Sequence, residues 1–79
     1  MNVMKLKEVN ERNIVYFYQP EGEGDFGEIL YEISLCEARV VKRAEKDEGG
    51  FSYGEKAVRK VGEFVAKNNL PINYTQAWY

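Results

Sequence analysis

The segment Gly50-Phe51-Ser52-Tyr53-Gly54 has the G-x-S-x-G spacing of a nucleophile elbow, the strand-to-helix turn that exposes a serine for acyl transfer. Serine attacks only when a base takes its proton, and the 79-residue chain contains no histidine. The same residues suit a structural task. Ser52 followed three positions later by Glu55 is a capping box, in which the hydroxyl accepts a first-turn N–H and the carboxylate reaches back. Ser52 is therefore expected to be a helix N-cap. The preceding Gly49-Gly50 loop lacks the lysine and spacing of a phosphate-binding loop, and Glu48 and Glu55 would repel an anion there. Glu21, Glu23, Asp25 and Glu28 make an acidic loop interleaved with glycine, but not at the spacing of a calcium loop. Cys36, the one cysteine, has Glu37 beside it, which disfavours a thiolate. The expected catalytic, cofactor and metal residues are none.

One cysteine excludes an internal disulfide framework, and a net charge of -2 argues against a generic nucleic-acid binder. A chain of this length holds one domain, residues 1–79, and a small core. No apolar run reaches the length of a signal-peptide core or a membrane span, so a cytoplasmic protein is expected.

The elements that must position any site follow from periodicity. Residues 1–12 are weakly patterned and read as a frayed arm or as an extra strand over Val3 to Glu8. Residues 13–19 are β-branched and aromatic, hence a strand, which Pro20 stops. Phe26 to Ile33 is a second strand. Ile29, Tyr31 and Ile33 lie on one face, and Phe26, Glu28, Leu30 and Glu32 on the other. Ala38 to Glu45 is a third, with Val40 on one face and Arg39, Val41 and Arg43 on the other. A four-residue loop closing on Ile33 and Ala38 would set Tyr31 opposite Val40, Glu32 opposite Arg39 and Glu28 opposite Arg43. Ala57, Val58, Val61, Phe64 and Val65 then recur at helical spacing. Asn68-Asn69 supplies a left-handed cap, and Pro71 prevents continuation into an extended aromatic tail over 71–79. The expected fold is α+β, with two layers. A three- or four-stranded antiparallel meander packs on one helix in the order β-β-β-α.

Two resemblances bear on this reading. Gly49 to Leu70 looks like the last helix of a double-stranded-RNA-binding domain, but Gly54-Glu55 stands where that family has lysines, and no leading helix is present. Tyr18-Gln19-Pro20-Glu21-Gly22, Gly27-Glu28-Ile29 and Ala77-Trp78-Tyr79 resemble small bacterial proteins with one sheet and one helix. That resemblance implies a fold and no activity.

Charge is uneven. Residues 8–37 hold eight acids and one base, whereas 38–70 hold eight bases and five acids. The first strand is apolar on both faces, with Val15 and Phe17 on one and Ile14, Tyr16 and Tyr18 on the other. One helix covers one face only. The second face is expected to be a partner surface built from Phe26, Leu30, Val41, Arg39 and Arg43, with Tyr74 and Trp78 beside it. Either the tail lies over it or a protein partner does, a second copy included. The expected function is a non-catalytic protein-interaction module. The alternative is single-stranded nucleic-acid binding through Arg39, Lys42 and Arg43.

Overall fold

A computed structural model describes residues 1–47 and 52–77 of the chain. Five strands and one helix follow in the order β1 (Asn2–Val9), β2 (Asn13–Pro20), β3 (Gly27–Glu32), β4 (Glu37–Lys42), α1 (Tyr53–Ala66) and β5 (Asn73–Gln76). The sheet is antiparallel with spatial order β4-β3-β2-β1-β5, and α1 packs on one face of it. The α+β expectation holds, but with five strands, and with the helix after the fourth. Within the 1–12 segment Asn2–Val9 is a strand between β2 and β5, and Asn73–Gln76 of the tail is the edge strand.

Alternation decides which face each strand buries. Met4, Ile14, Tyr16, Tyr18, Ile29 and Tyr31 turn inward and meet Ala57, Val61 and Phe64, the helix stripe set by its 3.6-residue period. Tyr16 and Phe64 stack with ring centroids 5.4 Å apart. The two central tyrosines are fully buried, and each hydroxyl has a partner. Tyr16 donates to the Pro71 carbonyl at 2.6 Å, and Tyr18 donates to Asp47 Oδ2 at 2.5 Å. Burial pushes the Tyr16 hydroxyl up to about 12, and burial followed by the bond to Asp47 does the same for Tyr18. Gly27 is required by close approach. A Cβ there would overlap the Tyr18 ring and lie 2.5 Å from the Ala44 backbone nitrogen.

The β3–β4 register differs from expectation by two residues. Ile29 faces Val40, Leu30 faces Arg39, Tyr31 faces Ala38, and Glu32 faces Glu37. The loop therefore closes on Glu32 and Glu37, with Cys36 in the left-handed region at φ 53°. A two-residue slip keeps every side chain on its face, so burial alone does not separate the two registers. A bulge then intervenes, so that Glu28 faces Lys42 rather than Arg43. The extra residue turns Arg43 off the face that carries Arg39.

Ser52 is not a side-chain cap. It sits at φ 52° and ψ 48°, and its hydroxyl makes no capping bond. Asp47 caps from outside the helix instead, accepting the Gly54 N–H at 3.1 Å. A Cβ on Gly54 would lie 2.9 Å from that carboxylate oxygen and 2.8 Å from Val40 Cγ2, so the helix start comes this close only as glycine. At the other end Asn68 takes the expected left-handed conformation, φ 52°.

Candidate functional site: the open face of the sheet

The face of the sheet turned away from α1 is built by the residues that alternate with the core. Cross-strand pairing lines them up in rows. One row runs Lys5, Phe17, Glu28, Lys42, and the next runs Glu8, Val15, Leu30, Arg39. A third pairs Asn13, Glu32 and Glu37. A second bulge, between Leu6 and Glu8, sets Glu8 opposite Val15, on the same side as Lys5 and Lys7.

Apolar groups occupy the middle of this face, and charges cross over them. Phe17 and Phe26 lie 5.4 Å apart at 48°. Lys7 Nζ stands 5.3 Å above the Phe17 ring and donates to Glu28 at 2.9 Å. Lys5 Nζ stands 5.6 Å above the Phe26 ring. Arg39 is paired with Glu32, its diagonal neighbour across the β3–β4 ladder. The lysine stems shade the phenyl rings while their ammonium groups stay in water. Val15, Phe17, Phe26 and Leu30 consequently remain partly exposed, and Val41 is 49% exposed. Exposed ion pairs of this kind contribute at most about 1 kcal/mol each, so they decorate the face without fastening anything over it.

Of the expected surface residues, Phe26, Leu30, Arg39 and Val41 share this face. Arg43 does not. It donates to Asp47 at 2.9 Å and to Glu55 at 3.0 Å, at the start of the helix. The two carboxylates, Glu55 foremost, raise its pKa, and Arg43 holds the Glu55 carboxyl below the usual range. Tyr74 also belongs to the helix side, packed edge-on against Phe64 with centroids 5.0 Å apart. The described tail extends the sheet at β1 and does not lie over the open face. Trp78 falls outside the described residues, as do Gly50 and Phe51 of the serine motif and Gly49 before it. The sequence reading missed Lys5 and Lys7, whose spacing of two was the available signal once 1–12 is a strand.

The acidic loop disperses. Glu21 accepts from the Tyr53 hydroxyl at 2.9 Å, and Glu28 belongs to Lys7. Among the described residues no three His, Cys, Asp or Glu side chains come together to hold a metal ion. No helix among them is long and apolar enough to cross a membrane. No protein-family model matches the chain, and no curated protein or solved structure does.

Proposed function

We propose that the chain is a non-catalytic protein-interaction module that pairs with a second copy of itself through the open face of its sheet. The observation that carries this reading is the apolar centre of that face, where Val15, Phe17, Phe26 and Leu30 stay partly exposed and Val41 is 49% exposed. A two-fold axis running across the strands through Val15 and Leu30 lays Leu30 on Leu30, as an isologous interface requires, and sets Lys42 over Glu37 of the second copy. The same axis sets Glu28 over Glu32 and Arg39 over Arg39, so apolar contact and not charge supplies the affinity. Aromatic and arginine groups over an apolar centre are the composition of such interfaces.

Sedimentation of the full chain over a range of concentrations tests this. A dimer is expected, and Leu30→Glu dissociates it without disturbing the helix-side core. Lys42→Glu and Glu37→Lys each weaken it, and the double exchange restores it. A monomer at every concentration, or a dimer indifferent to Leu30→Glu, overturns the reading.

Single-stranded nucleic acid is the second reading, favoured by the two phenyl rings with lysines above them. Stacking platforms of that type bind bases with strong salt dependence. Glu28 and Glu32 on the same face weigh against it. Titration with labelled single-stranded DNA and RNA at low salt separates the two: binding quenched by Phe17→Ala supports the platform, and no binding removes it.

A further inference from the structure

The strand β5 ends the sheet, and among the described residues no further strand pairs with its outer edge. In the antiparallel β1–β5 ladder, the Leu6 N–H donates to the Ile72 carbonyl at 2.9 Å. Pairs alternate between bonded and non-bonded, so Met4/Tyr74 and Asn2/Gln76 exchange bonds with β1. The N–H and C=O groups of Asn73 and Thr75 therefore point out of the sheet. Natural edges are usually guarded by lysine, proline or a bulge. The sequence Asn73-Tyr74-Thr75-Gln76 has no charge and no proline, and its pairing with β1 is regular. The opposite edge, β4, is Glu-Ala-Arg-Val-Val-Lys and contains a bulge.

Beside this edge, on the helix side, runs a groove between α1 and β5. Its cavities of about 160 and 230 Å³ share Lys60, Glu63 and Tyr74, and add Lys56 and Arg59 from the helix and Lys67 from its C-terminal cap. Among the described residues Lys56, Arg59, Lys60 and Lys67 border the groove together with Glu63, which holds Lys60 at 3.1 Å. Lys60 also stands 5.5 Å above the Tyr74 ring. Lys56 and Lys60 are one helical repeat apart, a rise of about 6 Å. Alternate residues of a strand are about 6.8 Å apart. A strand added to β5 would present every second side chain to this row of cations at nearly matching spacing.

We propose that β5 is a docking edge for an extended segment of a partner protein that carries acidic residues at alternate positions. The backbone of that segment bonds to Asn73 and Thr75, and its carboxylates face Lys56, Arg59 and Lys60. Main-chain bonds supply affinity in this mode, and the flanking side chains supply choice. A second copy's β5 is disfavoured as the occupant, because pairing two such edges brings two rows of cations together. This surface is separate from the open face, and it stands whether or not the chain dimerises there.

The test uses the full chain and three synthetic peptides: alternating valine and glutamate, alternating valine and lysine, and the acidic peptide N-methylated at alternate amides. The acidic peptide is expected to bind, more weakly as salt rises, and the Asn73 and Thr75 amides gain protection from hydrogen exchange. The lysine and N-methylated peptides do not bind. Arg59→Glu with Lys60→Glu lowers affinity at least tenfold while leaving the fold intact, since neither residue is in the core. Thr75→Pro removes one outward N–H and also weakens binding. The proposal fails if the acidic peptide does not bind. It fails equally if that peptide binds without protecting Asn73 and Thr75, which would leave charge attraction alone. It also fails if those amides become protected with protein concentration alone, which would make the occupant a second copy.

Discussion

The two faces of the sheet place their aromatic groups in the opposite order from simple polarity. The hydroxylated rings, Tyr16 and Tyr18, are fully buried beneath the helix, while Phe17 and Phe26 stay partly exposed on the far side. The difference lies in where the hydroxyls can reach. A buried tyrosine must satisfy its O–H, and Tyr16 and Tyr18 do so by passing under the helix to Pro71 and Asp47 in the flanking loops. The inner face thus uses aromatic groups to tie the connections down. The outer face uses them as area, screened by lysine stems, with none of the described residues anchored above.

Paired truncations sharpen this contrast most. Phe64→Ala removes a buried ring from the inner face and should cost about 3–5 kcal/mol, enough to unfold a domain of this size. Phe17→Ala on the outer face should cost about 1 kcal/mol in the monomer. Denaturant midpoints at low protein concentration measure both, and equal losses would erase the distinction between the faces.

Alkaline titration probes the inner hydroxyls. Both are raised from 10.0 to about 12. The folded state therefore keeps its protons where the unfolded chain would lose them. Stability is fully present below pH 10 and falls as pH rises through 12, by about 3 kcal/mol for each tyrosine. Tyrosinate absorbance and circular dichroism should show Tyr16 and Tyr18, of the six tyrosines in the chain, ionising only together with unfolding. Ionisation of both in a still-folded protein would place them in contact with water.

Two further substitutions separate the two claimants for the helix start. Asp47→Ala leaves the Tyr18 hydroxyl and the Gly54 N–H without their acceptor and should cost about 3 kcal/mol. Ser52→Ala should change stability by less than about 0.5 kcal/mol. Thermal melts of the two variants measure this, and the reverse order would return the cap to Ser52.

Strongly periodic segments were legible in the sequence, and features fixed by a distant residue were not. Ala57, Val61 and Phe64 announce the helix face, and the alternation in 13–19 and 26–33 announces two strands. The β1 strand was ambiguous because its pattern is broken by a buried asparagine and by the bulge at Lys7. The β3–β4 register was misjudged because Glu32 and Arg39 pair diagonally, so the ion pair exists without the two residues being directly opposite. The open face was legible in Phe26, Leu30, Arg39 and Val41. Arg43 was lost to a bulge that no turn residue marks, and Tyr74 to a tail that joins the sheet. Ser52 and Glu55 carry the local pattern of a cap, but a buried carboxylate five residues upstream of Ser52 supplies the bond.

That borrowed cap has a consequence for how the molecule opens. A helix with its own capping side chain can begin, and fray, by itself. Here one oxygen of Asp47 receives Tyr18 from the second strand, Arg43 from beyond the fourth and the amide of Gly54 at the head of the helix. The first turn cannot let go of its acceptor without disturbing a side chain in the middle of the sheet. Helix and sheet should therefore open as one cooperative unit at this end, with the Gly54 amide exchanging its hydrogen as slowly as the sheet rather than at the rate of a loose helix terminus.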